Sequence, residues 1–150
     1  ASHAVLSEPS ATLAILNARQ NGIALHRALD YSQTWAEATG RAPRMPMAGV
    51  VADAALARDH PELLTWFQRA HREAASWVAD HPEEASLLGA EEIKAIPPVA
   101  MRESLPHIQF AFAEADQVRE EIQFFLSEIH SLSPELIGGQ LPPDEFYYQA

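Results

Sequence analysis

Histidines are the residues of this chain best able to do chemistry, as metal ligands or general bases, so the spacing of all seven is the first test. His60 and His71 fall on nearly the same side of a continuous helix, but the helical rise separates them by roughly 16 Å, too far to share one ion. No His-Glu-x-x-His, Glu-x-x-His or paired-Cys pattern occurs, and the histidines read as surface or capping groups. Glu83-Glu84, Glu91-Glu92 and Glu120-Glu121 resemble the carboxylate pairs of acid–base catalysis on paper only. Adjacent residues on a helix point about 100° apart, so these are solvated helix faces. The six glycines form no Gly-x-Gly-x-x-Gly, phosphate-binding loop or Gly-x-Ser-x-Gly elbow. A Ser-His-Asp triad assembled by folding would leave no local signature. Trp35, Phe67 and Trp77 fit core positions better than a stacking platform for bases, given the acidic charge around them. The expectation is a protein with no catalytic residue, no metal and no cofactor.

The elements that would position such residues are mostly helical. Ser7 or Ser10 is suited to cap a helix, with Pro9 in its first turn, that runs to about Arg19 and ends near Asn21-Gly22. Ile23, Leu25 and Leu29, interrupted at Arg27, suggest a strand, and Met47 to Val51 suggests a second. Between them Asp30 caps a short helix that carries Trp35 and closes at Gly40, and Pro43 and Pro46 hold the chain extended. From Pro61 to Asp80, apolar residues recur at three- and four-residue spacing through Leu63, Leu64, Phe67, Ala70, Ala74, Trp77 and Val78. This stripe predicts an amphipathic helix with Trp77 buried. His60-Pro61-Glu62 and His81-Pro82-Glu83-Glu84 both place Pro at the first helical position and acid at the positive end of the dipole. A short helix follows Pro97-Pro98 and stops before Pro106, Ile108, Phe110 and Phe112 alternate as an extended piece, and Glu114 to Ile129 forms a further helix. Ser133-Pro134 opens a last turn before Gly138-Gly139.

Composition narrows the partners. With 10 Lys plus Arg against 21 Asp plus Glu, the net charge of −11 repels phosphate backbones and anionic head groups, which argues against nucleic acid. No uncharged run exceeds ten residues, about half of a bilayer span. The absence of Cys removes disulfides and thiolate chemistry without deciding the compartment. A start at Ala1 and not Met suggests processing or truncation. No internal repeat, linker or low-complexity stretch suggests a domain boundary.

Several pieces then fall in a familiar order: Val5-Leu6-Ser7-Glu8-Pro9, Pro46-Met47-Ala48-Gly49-Val50-Val51, His60-Pro61-Glu62-Leu63, Trp77-Val78 with His81-Pro82-Glu83-Glu84-Ala85, and Ile137-Gly138-Gly139-Gln140-Leu141-Pro142-Pro143-Asp144-Glu145-Phe146-Tyr147-Tyr148. In that order they resemble the C-terminal half of the NMT1/THI5-like and SsuA/TauA-like periplasmic substrate-binding proteins of ABC importers. The resemblance runs almost end to end. It implies a helix-rich α/β chain with a small sheet and flanking helices, part of a type II periplasmic-binding-protein fold in which two lobes close on a solute.

Under this resemblance residues 1–150 are one partial domain, with a hinge crossing near residues 5–10 that completes one lobe. Glu8 and Ser10 border the ligand cleft, and Met45 to Gly49 approach it, making Met47 and Gly49 ligand-binding candidates. Ser10 stands where relatives often carry an aromatic ring. The implied function is capture of a small organic solute or oxyanion, such as a sulfonate, nitrate or pyrimidine-like molecule, outside the cytoplasm for delivery to a membrane permease. Half a cleft would bind weakly, and unpaired strand edges would favour self-association. The alternatives are a stand-alone helical interaction module and a THI5-type pyrimidine-precursor synthase using a His and iron, for which no clustered ligand set occurs.

Overall fold

The computed structural model describes residues 3–149. Seven α-helices appear among them: α1 (Ser10–Gln20), α2 (Tyr31–Thr39), α3 (Ala54–Asp59), α4 (Pro61–Asp80), α5 (Pro82–Glu92), α6 (Pro98–Ser104) and α7 (Arg119–Leu132). Short 3-10 turns cover Leu105–His107, Pro134–Ile137 and Asp144–Phe146. None of these helices is long and apolar enough to cross a membrane.

Helix ends follow local chemistry. Asp30 Oδ1 accepts the amides of Ser32 and Gln33 at 2.8 and 3.2 Å, satisfying two donors that the first turn of α2 leaves orphaned. Gly40 closes the same helix at φ 68°, in the left-handed region where a β-carbon is penalised. Asp53 caps α3 in the same way, through the amides of Ala55 and Leu56. Pro82 and Pro98 open α5 and α6 at positions where a missing N–H costs nothing. The helix expected from Glu114 instead begins at Arg119. Asp116 Oδ1 accepts the Gln117 amide at 2.9 Å, a side-chain bond that favours turns over helix across residues 115–118.

The chain folds as two compact units. The first comprises residues up to Ala28 together with Ala70–Phe112, and the second Leu29–Arg69 together with the chain from Ala113 onward. In the first unit, Ile96, Ala100 and Met101 are buried together and Leu13 and Leu16 of α1 pack on them. A β-carbon at Gly89 of α5 would stand 3.2 Å from Met101 Cγ, so the Met101 side chain packs closely against the backbone there. In the second unit, Trp35 of α2 meets Phe124 and Phe125 of α7 edge-on at 5.6 and 5.7 Å between centroids, and Tyr147 is buried.

Two expectations are corrected. Among the described residues there is no strand, so the small sheet of the expected α/β fold does not exist; the chain is helical. The segments 23–29 and 47–51 are neither helical nor paired. Alternating apolar residues suit a sheet surface, but a strand exists only beside another strand; Ile23 N–H donates instead to the Ala18 carbonyl of α1, and neither segment joins a ladder among the described residues. The second correction concerns α4, which contributes no buried residue to either unit. Trp77 remains 37% exposed, and Phe67 is exposed as well. The Trp77 ring lies flat on His81, one turn further on, with centroids 4.8 Å apart and an interplanar angle of 10°. Periodicity makes the apolar stripe, but α1, α5 and α6 build the first unit's core without it.

Candidate functional site

A polar network in the first unit is built around Glu8, whose peptide bond to Pro9 is cis. Pro9 occupies the N-cap position of α1 and offers no capping side chain. Glu8 supplies one from the preceding position: its Oε2 accepts the Thr12 amide at 3.1 Å and the Thr12 hydroxyl at 2.7 Å. An acid at this point also faces the positive end of the helix dipole. From the extended segment after α1, Arg27 donates Nε and Nη2 to Glu8 Oε1 at 3.1 and 2.7 Å, and Nη2 to Thr12 Oγ1 at 2.6 Å. The Glu8 side chain is 13% exposed and that of Arg27 36%.

These contacts decide the charge of Glu8. Partial burial alone pushes its carboxyl upward, but the hydrogen bonds from the Thr12 hydroxyl, Arg27 and the Thr12 amide, with the Arg27 charge, bring it below the usual value. Both carboxylate oxygens are engaged, so Glu8 fixes the start of α1 and the path of residue 27. Arg27 is thereby the charge that breaks the apolar alternation of segment 23–29.

The other expected ligand residues take no part in these hydrogen bonds. Ser10 is the first residue of α1 and is exposed. Met47 is 67% exposed in an extended segment of the second unit, and a β-carbon placed on Gly49 would meet nothing within 4 Å. Glu8 and Ser10 thus share the first unit, and Met47 and Gly49 share the second. Thr12 and Arg27, the partners of Glu8, were absent from the sequence-based set; the lone charge among Ile23, Leu25 and Leu29 is the signal that marks Arg27.

Next to Pro46, the second unit holds a hollow of about 140 Å³ lined by Trp35, Arg41, Ala42, Arg44, Pro46, Glu121 and Phe124. Glu121 and Phe124 are three residues apart on α7 and so share a face. The Arg41 guanidinium carbon stands 3.8 Å over the Phe124 ring centroid, a cation–π contact. Arg44 Nη2 pairs with Glu121 Oε1. Thr39 Oγ1 donates to the Trp35 carbonyl at 2.7 Å and accepts the Arg41 amide at 3.3 Å, fixing the turn that carries Arg41. Among the described residues, no group of three or more His, Asp or Glu side chains is placed to hold a metal ion. Compared with known proteins, the chain matches no family model, no curated protein and no solved structure.

Proposed function

We propose that this chain acts by capture and not by covalent chemistry, as part of the solute-binding component of an ABC importer that takes up a small organic solute or oxyanion outside the cytoplasm and passes it to a membrane permease. The observation that carries the reading is the order of the pieces from Val5-Leu6-Ser7-Glu8-Pro9 to the Gly-Gly-x-Leu-Pro ending at residues 138–142. Two features agree with it. The Glu8-Pro9 piece, which the resemblance makes a crossing between lobes, is where Thr12 and Arg27 lock the chain path. Segments 23–29 and 47–51 also present unpaired backbone and exposed apolar side chains, surfaces whose burial would be favourable in a larger assembly. Capture needs only differential affinity between open and closed states.

The test is uptake. Deleting the gene from its source organism should abolish high-affinity uptake of one labelled class among sulfonates, nitrate, pyrimidines, amines and aromatic carboxylates, leaving the others intact. Unchanged uptake of all classes refutes the reading. A second reading, a helical interaction module, is favoured by the exposure of Leu63 and Trp66 on α4. That reading predicts normal uptake and retention of a partner protein that is lost in Trp66→Ala.

A further inference from the structure

We propose that the hollow between α2 and α7 is a subsite for a planar aromatic carboxylate of benzoate size. The assignment deepens the capture reading and rests on it only for its biological purpose; the physical case is local. A hollow of about 140 Å³ is close to the roughly 150 Å³ cavity known to hold one benzene ring. Its walls supply apolar surface for a ring: Trp35, Phe124, Ala42 and Pro46 all line it.

Charge selects the anion. The chain carries a net charge of −11, yet this concavity gathers two guanidinium groups against one carboxylate, Arg41 and Arg44 against Glu121. Arg41 uses one guanidinium face on Phe124 and is exposed, so its other face is open to a second ring. Arg44 spends Nη2 on Glu121, and its side chain is 57% exposed, leaving donors that match a carboxylate in plane. An aliphatic anion would forfeit stacking, a neutral arene would forfeit the guanidinium contacts, and an inorganic anion would leave the apolar walls wet.

Benzoate titrated into the ¹⁵N-labelled chain should move the Trp35 indole N–H and the amides of Arg41, Arg44, Glu121 and Phe124 saturably at millimolar concentration. Benzamide and cyclohexanecarboxylate should each bind about tenfold more weakly, as expected for losing a charge-assisted contact or ring stacking. Arg44→Gln should weaken benzoate by a similar factor with the remaining amide shifts unchanged, which separates lost binding from lost folding. Absent or scattered shifts with benzoate, or an equal response in Arg44→Gln, overturn the assignment. If benzoate is silent while the gene deletion still abolishes uptake of another solute, the subsite is wrong and the capture reading stands. Silence in both experiments removes the two together.

Discussion

Thr12→Val isolates the network at the start of α1. Thr12 is 3% exposed and its hydroxyl makes two side-chain contacts, donating to Glu8 and accepting from Arg27. Valine preserves shape and helix propensity within a few tenths of a kcal/mol, so the hydroxyl is the main variable. The bond to the Glu8 carboxylate is worth about 1.5–3 kcal/mol. The bond from Arg27 returns little on removal, because a guanidinium with a 36% exposed side chain rehydrates. Burying a methyl in place of the hydroxyl regains about 0.8 kcal/mol. The expected net loss is about 1–2 kcal/mol, a factor of about 5–30 in the local opening equilibrium.

With two compact units a single unfolding free energy is ambiguous, so amide hydrogen exchange along α1 is the appropriate readout. The difference must also depend on pH. Glu8 titrates below its ordinary value of 4.5 in the folded chain, so its contribution is complete above that pH and is lost as pH falls through the folded value. Thr12→Val should therefore accelerate exchange at neutral pH and approach the parent chain once Glu8 is protonated. Equal exchange at neutral pH, or a difference that persists unchanged in acid, would refute the network's role.

Met101→Ala should destabilise the first unit by about 2–5 kcal/mol, since it empties a buried site against Gly89 and Ile96; a denaturation midpoint close to the parent's would contradict the assigned core. Trp77→Ala should cost about 1 kcal/mol or less, because the ring is stacked on His81 at a wet surface; a loss of several kcal/mol would restore the buried position suggested by the stripe. Burial pushes the Tyr147 phenol above its usual 10.0, so an ultraviolet difference titration of the parent chain against Tyr147→Phe should show a phenol ionising above that value. Its folded value is raised, so the stability it contributes declines as pH climbs beyond 10, and Tyr147→Phe should remove both effects.

The starts of α2, α4, α5 and α6 were legible because their causes are local: Asp30 two and three residues from the amides it accepts, and Pro61, Pro82 and Pro98 at first helical positions, whereas α7 starts five residues beyond Glu114 and α1 has no serine cap. The six-residue α3 was missed although Asp53 gives the same local signal, because Ala54–Asp59 is too short to show a stripe. What periodicity cannot supply is a partner. It marked 23–29 and 47–51 as fit for a sheet and 61–80 as amphipathic, but pairing and burial depend on what lies opposite. The same limit hid the candidate sites. Arg27 reaches Glu8 across 19 residues, and Arg44 reaches Glu121 across 77. The Thr12 link to Glu8 does lie within one helical turn, but its meaning depends on the N-terminal position of α1.

The unpaired extended segments bear on how the chain meets proteases. A protease cleft accepts its substrate as a strand, and the backbone around Arg27 and from Arg41 to Ala52 already has no helix to unwind. Trypsin should therefore cut after Arg27, Arg41 or Arg44 before it reaches Arg69 or Arg72, which lie inside α4. Between those three, the contacts set an order. Among the described residues the Arg27 side chain is held by Glu8 and Thr12 and that of Arg44 by Glu121, whereas the Arg41 guanidinium rests on the Phe124 ring without an ion pair. The first nick falls after Arg41, and its rate measures how firmly that guanidinium stays on the ring.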